Sequence, residues 1–359
     1  MDLPNHGANP QRLYKQAGIS LPQQILDFSE NVHPLGPPSF LAERWPEMLE
    51  LVGSYPDPDG EPFRTAAAKF HEVEPSQVAA GNGAAEVFTW LARRYRSQRV
   101  VLVEPAFSEY RQTLEAENVQ IRAIQLKAEN NWHLPIQNVR SAIPGCAALY
   151  ICNPHNPTGV LLDIKTLREI AGACLENKCE LVLDEAFIDF IGELASFMPF
   201  LKNFPNVIIV RSMTKMYAIP GLRLGYAVSQ AAMIEQLKQG AAHWNVNALS
   251  AAIGADCLWA SAYRGQVIRA AAEQRRKMQQ FLAEKNCTTS NSEANFLTFQ
   301  LPDPGMSDKF FRDLLKAGIV LRHTESFRGM DGKWFRIGMK SAESMEKLRE
   351  AIAGWLEAN

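Results

Sequence analysis

Short apolar runs and longer amphipathic stretches alternate over the first two thirds of the chain. Val100 to Val103, Ile121 to Leu126, Ala148 to Cys152, Leu181 to Leu183, Val207 to Val210 and Leu224 to Val228 are strand-length and mostly apolar. Helical stretches such as Thr166 to Asn177 separate them. Strands apolar on both faces and joined by helices predict an α/β architecture, a mainly parallel sheet sandwiched between helices. After Trp244-Asn245-Val246-Asn247 the pattern changes. Ala248 to Leu282 reads as mostly helical; strands near Phe296 to Phe299 and Phe335 to Met339 then alternate with helices at Lys309 to Ala317 and Ser344 to Glu357. The expected division is a large domain over residues 39–247 and a small α+β domain over 248–359. Residues 1–38 form a segment that joins the small domain and reaches a site between the two. No internal repeat or low-complexity linker interrupts the pattern.

The apolar runs end in polar groups, and the carboxyl ends of strands are where open sheets bind ligands. Lys215 follows Val207 to Val210 in Arg211-Ser212-Met213-Thr214-Lys215, with Arg223 shortly after. An ordinary strand-end lysine is solvated. One flanked by hydroxyls and a cation is suited to hold an aldehyde as a Schiff base, because a neighbouring cation and desolvation favour the free amine. Asp184 closes Leu181 to Leu183 and suits a protonated ring nitrogen, although a helix cap is the commoner use of such an acid. Asn153, in Asn153-Pro154-His155-Asn156-Pro157-Thr158-Gly159, offers an amide to a ring hydroxylate. Gly81-Asn82-Gly83-Ala84-Ala85-Glu86 opens a helix whose first N–H groups can take a phosphate, with Gly83, Ala84 and Ala85 supplying backbone donors and Ser212 and Arg223 completing the cradle. Phe107, after Val100 to Val103, can stack on a ring or fill the core. Together these groups describe a site for pyridoxal 5'-phosphate (PLP). Asp184 stands midway between Asn153 and Lys215, and each interval leaves room for one crossover helix and one strand.

In order and spacing the set resembles the fold-type I PLP enzymes, within the branch that contains histidinol-phosphate aminotransferase and threonine-phosphate decarboxylase. The resemblance runs over essentially the whole chain. Asn5-His6-Gly7-Ala8-Asn9, Asp27-Phe28-Ser29-Glu30-Asn31-Val32-His33-Pro34-Leu35-Gly36 and Asp184-Glu185-Ala186-Phe187 are similar to segments of the decarboxylases. Phe187 stands where the aminotransferases commonly carry tyrosine. The chain departs from the decarboxylase pattern at Ala8, His33, Ala84, Ala85 and His155. The resemblance implies that Arg336 grips a substrate carboxylate and that Arg322 is a second substrate arginine. It also implies that Asn153 meets the substrate, that His6 and Asn31 reach its phosphate, and that Tyr55 crosses to the cofactor of the other subunit in a homodimer.

The reaction expected is decarboxylation of L-threonine O-3-phosphate to (R)-1-amino-2-propanol O-2-phosphate, feeding the nucleotide loop of cobalamin. In such sites the bond at the α-carbon that stands perpendicular to the cofactor ring breaks, so a carboxylate held perpendicular leaves and one held in plane permits transamination. Histidinol-phosphate aminotransferase and decarboxylation of L-serine O-phosphate stay open as alternatives. A non-catalytic cofactor sensor is a third class, but Met1 to Leu26 reads as substrate contacts, not as a helix-turn-helix.

Composition changes little. With 359 residues and 47% hydrophobic content the chain can bury a large core and a smaller one. A formal net charge of −2 gives no reason to expect nucleic acid or an anionic membrane as a partner. The six cysteines include no Cys-x-x-Cys pair and predict neither a metal site nor disulfides. No stretch reaches the ~20 apolar residues of a membrane span, and the N-terminus lacks a signal-peptide core, so a cytoplasmic enzyme is expected.

Overall fold

The computed structural model describes residues 3, 4 and 7–359. Its strands are β1 (Leu26–Asp27), β2 (Val78–Asn82), β3 (Arg99–Glu104), β4 (Gln120–Gln125), β5 (Ala148–Cys152), β6 (Glu180–Asp184), β7 (Val207–Ser212) and β8 (Leu224–Val228), followed by β9 (Thr288–Thr289), β10 (Phe296–Gln300), β11 (Ile319–Val320), β12 (Arg322–His323) and β13 (Phe335–Gly338). Strands β2 to β8 form one seven-stranded sheet in the order β2-β8-β7-β6-β5-β3-β4. The pairs from β7 through to β4 are parallel, and β8 runs antiparallel to both β7 and β2. The architecture is therefore α/β with a mainly parallel sheet, as the apolar runs predict.

Side chains alternate between the two faces of this sheet. Val100, Leu102, Val182, Ile208 and Val210 enter one core with Phe88 and Leu91 of the helix Ala84–Arg94. Val101, Val103, Leu181, Leu183, Val207 and Ile209 enter the other with Leu167 and Ile170 of the helix Ile164–Glu176. A strand buried on both faces has no solvated side, which is why these segments read as continuous apolar runs.

Two features depart from the sequence pattern. The link from β6 to β7 is three short 3-10 turns, Ile188–Phe190, Glu193–Ala195 and Met198–Asn203, where a crossover helix was expected. These turns wrap carboxylates around the fully buried Arg211, which pairs with Glu185 at 3.2 Å, Asp189 at 2.9 Å and Glu193 at 2.6 Å. A guanidinium out of water needs such partners, and a regular helix would present them on one line. Strand β2 was not anticipated, because Ala79-Ala80-Gly81 carries little apolar bulk.

A third core, built around Phe28, Phe299, Phe310 and Phe335, belongs to the four-stranded antiparallel sheet β12-β13-β10-β9 and its helices. The N-terminal segment is stitched to it. β1 pairs parallel with β11, the Phe28 N–H donates to Val320 O at 2.8 Å, and Gly338 N–H donates to Phe28 O at 2.9 Å. Lys340 then holds Glu30 at 2.9 Å and the Val32 carbonyl at 3.0 Å. Among the described residues no helix is long and apolar enough to cross a membrane.

Gly225 on β8 lies under the start of the helix Ala84–Arg94. A methyl group there would overlap the Ala84 amide nitrogen and come within 2.8 Å of the Gly83 carbonyl carbon. Gly225→Ala should therefore cost about 1–3 kcal/mol, measured by denaturant unfolding. An unchanged midpoint would show that the helix start is free to move.

Candidate active site

A cavity of about 300 Å³ opens where β6 and β7 end and the helix Ala84–Arg94 begins. It is lined by Asp184, Ser212 and Lys215, by Ala84, Ala85 and Arg223, and by Arg336 with Gly7, Ala8 and Asn31. The ends of parallel strands point the same way, so groups far apart in sequence converge there.

Lys215 Nζ donates to Ser212 Oγ at 2.8 Å, and that oxygen also meets Thr214 Oγ1 at 2.9 Å. Burial pushes the amine down to about 8, the Arg223 cation adds to this, and Asp184 opposes it. Asp184 is buried. One carboxylate oxygen accepts from Ala186 N–H at 2.9 Å and the other from the Tyr110 hydroxyl. Burial raises its pKa, while these donors and Lys215 hold it down.

The anion cradle is built from backbone. Gly83, at φ 77°, precedes the helix Ala84–Arg94, whose first N–H groups have no carbonyl within the helix to bond. A methyl at Gly83 would meet the Arg223 guanidinium at 2.5 Å, so glycine lets that cation lie against the helix start. Phe107 caps the helix Ser108–Ala116 and borders the cavity; Phe187 borders it too, with Lys215 Nζ 5.6 Å from its ring centre.

Asn153 requires a correction. Its amide is spent inside its own loop, Oδ1 accepting from Leu162 N–H at 2.7 Å and Nδ2 donating to Leu162 O at 3.3 Å, and it does not border the cavity. Asn156, from the second Asn-Pro pair, does. Its Oδ1 accepts from Arg336 Nη1 at 2.7 Å, which leaves Nδ2 for a ligand. The residue at the strand tip is consumed in closing the turn, and the one three positions later faces the site.

Arg336 also donates from Nη2 to Ser29 O at 2.9 Å, while its Nε has no hydrogen-bond partner among the described residues. No carboxylate pairs with it there, and burial together with the neighbouring Arg322 lowers it to about 9. Arg322 is equally buried but lines a small adjoining pocket with Gly7 and Ser29, where it donates to Ser326 Oγ at 2.6 Å. Asn31 borders the main cavity with its Oδ1 buried and unpaired among the described residues. Tyr55 is elsewhere, 84% exposed with its ring 5.0 Å from that of Trp244. His6 lies outside the described residues. Tyr110 was not anticipated; its signal was its place one helical turn after Phe107.

The residues present fit a phosphorylated pyridine aldehyde. A glycine-opened helix start with Ser212 and Arg223 suits the phosphate, an amine held near neutrality suits the aldehyde, and a buried carboxylate with a lone pair to spare suits a ring N–H. Among the described residues no cluster of three or more His, Cys, Asp or Glu is placed to hold a metal.

Residues 23–353 match the family described as aminotransferase class I and II. The threonine-phosphate decarboxylase of Salmonella typhimurium is 34% identical over 97% of this chain and 95% of its own length. The adenosylcobalamin biosynthesis bifunctional protein CobDQ of Leptospira interrogans is 28% identical over 98% of this chain, which spans 41% of that longer protein. Among solved structures, histidinol-phosphate aminotransferase from Sinorhizobium meliloti, in complex with pyridoxal-5'-phosphate, superposes with a TM-score of 0.87 at 20% identity, covering 99% of this chain and 96% of the other.

Lys215→Met removes an amine whose charged form burial penalises. The cofactor-free variant should be more stable than the parent at neutral pH by about 2–3 kcal/mol. An amine lowered in the folded state to about 8 disfavours folding below that pH and ceases to do so as pH rises toward its ordinary value. The gain should thus shrink from about pH 8 upward in denaturant titrations. A pH-independent difference would rule out this origin.

Proposed function

The chain belongs to the aminotransferase class I and II family, and on that premise we propose that it is a PLP-dependent carboxy-lyase acting on L-threonine O-3-phosphate. The product is (R)-1-amino-2-propanol O-2-phosphate, of use in building the cobalamin nucleotide loop. The observation that carries this reading is the pair Arg336 and Arg322, both buried and both set against the segment from Gly7 to Ser29. Two neighbouring cations suit a substrate with two anionic groups. Threonine phosphate has a carboxylate and a phosphate, whereas histidinol phosphate has no carboxylate. The 34% identical decarboxylase supports the same choice.

When bound, PLP supplies an electron sink conjugated to the substrate's α-carbon. The chain's own groups hold and orient. The Gly83-Ala84-Ala85 backbone, Ser212 and Arg223 would hold the cofactor's phosphate, Asp184 would keep its ring nitrogen protonated, Asn156 Nδ2 would serve its ring oxygen, and Phe107 would lie against its ring. Phe187 brings no hydroxyl to that oxygen. Arg336, oriented by Asn156 and the Ser29 carbonyl, would grip the substrate carboxylate and so orient the bonds at the α-carbon. Lys215, neutral in a large fraction near its lowered pKa, moves the proton at the α-carbon. Asn31 and Arg322, with His6, meet the substrate phosphate.

The enzyme works as a cytoplasmic homodimer in this reading. Tyr55 is too exposed to serve its own cavity, and Leu49 at 73% and Val52 at 66% exposure, close to it in sequence, suit a covered surface. Tyr55 then completes the partner's phosphate cradle.

Incubated with L-threonine O-3-phosphate, the holoenzyme should release carbon dioxide with no keto acid present, and serine phosphate run in parallel measures the value of the methyl group. Efficient amino transfer to 2-oxoglutarate would defeat the proposal. Arg336→Met should lower kcat/KM by about 30- to 1000-fold, the cost of stranding one charge of a buried pair; a change under about threefold would mean that another group holds the carboxylate.

A further inference from the structure

Two tyrosines of one aromatic cluster have opposite surroundings. The Tyr110 and Tyr150 rings lie 5.8 Å apart, and each is 2% exposed. The Tyr150 hydroxyl has no hydrogen-bond partner among the described residues, whereas the Tyr110 hydroxyl donates to Asp184 Oδ2. Tyr110 stands in the first turn of the helix Ser108–Ala116, one turn beyond Phe107, whose ring it meets at 5.8 Å and 83°. One helix start therefore presents an aromatic face to the cavity and an O–H to the carboxylate beneath it.

The groups facing Asp184 come from each element around it. Tyr110 approaches from the helix, Cys152 is its register partner on β5, and Lys215 stands in the loop after β7. The Cys152 thiol is kept neutral by burial and supplies no charge. With Oδ1 taken by Ala186 N–H, Tyr110 supplies the side-chain hydrogen bond that fixes the other oxygen. A carboxylate out of water keeps its charge only with such donors.

We propose that Tyr110 is a positioning residue for the reaction, its hydroxyl locking the Asp184 carboxylate in the orientation that serves the cofactor's ring nitrogen. This rests on the reading of Asp184 as the partner of that nitrogen. Without the hydroxyl, Asp184 keeps its burial and loses a donor, so it takes up a proton more readily. A protonated Asp184 no longer favours the ring N–H.

The test titrates PLP into the cofactor-stripped full chain from mildly acidic to mildly alkaline pH, following cofactor absorbance for the parent, Tyr110→Phe, Tyr150→Phe, Asp184→Asn and the double variant Tyr110→Phe/Asp184→Asn. Tyr110→Phe should bind about tenfold more weakly at neutral pH, and the acid limb of its affinity profile should move to higher pH. Tyr150→Phe should follow the parent. In the Asp184→Asn background the Tyr110 change should have no further effect. A Tyr110→Phe profile that superimposes on the parent, or effects that simply add in the double variant, would overturn the proposal. So would a Tyr110→Phe chain that fails to fold while Tyr150→Phe folds, since the hydroxyl would then be a structural group. A parent that takes up no PLP would sink the cofactor reading itself, a separate failure.

Discussion

Positive charge that the protein does not neutralise for itself is the constraint around which this structure is arranged. Lys215, Arg223 and Arg336 face one cavity, whose carboxylates among the described residues are Asp184 and Glu30, the latter already paired with Lys340. Elsewhere the chain handles buried charge in the opposite way, as where Arg211 is surrounded by three carboxylates. The contrast shows that partners were available to the fold and are withheld at the cavity. Arg336, buried and with no carboxylate paired to it among the described residues, carries an uncompensated desolvation cost that an anionic ligand offsets.

The scaffold meets this constraint by being rigid where the charges sit. Strand tips locked on both faces fix Asp184 and Ser212, and the tight loop from Asn153 to Leu162 fixes Asn156. Arg336 is anchored at both ends of its fork, by Asn156 and by the Ser29 carbonyl. Lys215 stays the adjustable member, because a lysine buried without a full counter-charge gives up its proton near neutrality while a guanidinium does not.

Much of this was legible in the sequence, for reasons that also explain what was not. Runs such as Val207 to Val210 declare themselves because burial on two faces demands apolar residues at every position, and the polar residue ending each run then marks the site. Asp184, Ser212 and Lys215, picked out in that way, all border the cavity. The same rule failed at Asn153, since a strand-tip amide can close its own turn, and nothing in Asn-Pro-His-Asn-Pro says which amide turns inward. It failed at β2, where close approach to the helix start favours alanine and glycine over apolar bulk. The β6 to β7 link escaped because its course follows a buried guanidinium, a tertiary demand without a local pattern. Tyr110 looked like any aromatic on a helix until its distance partner, Asp184, was seen.

The pairing of β1 with β11 has a consequence for how the molecule comes into being. Leu26 and Asp27 leave the ribosome well before Ile319 and Val320, which they pair with and which lie far downstream in the chain. Until then the segment that carries Ser29 and Asn31 has no edge to lie on, and the ligand chamber stands open on one side. The large sheet, complete by Val228, is able to assemble as it is synthesised, while the pairing that seats the N-terminal segment waits for β11. A nascent chain thereby leaves this side of the cavity unbuilt until Arg322 and Arg336, which follow β11, are close to being made.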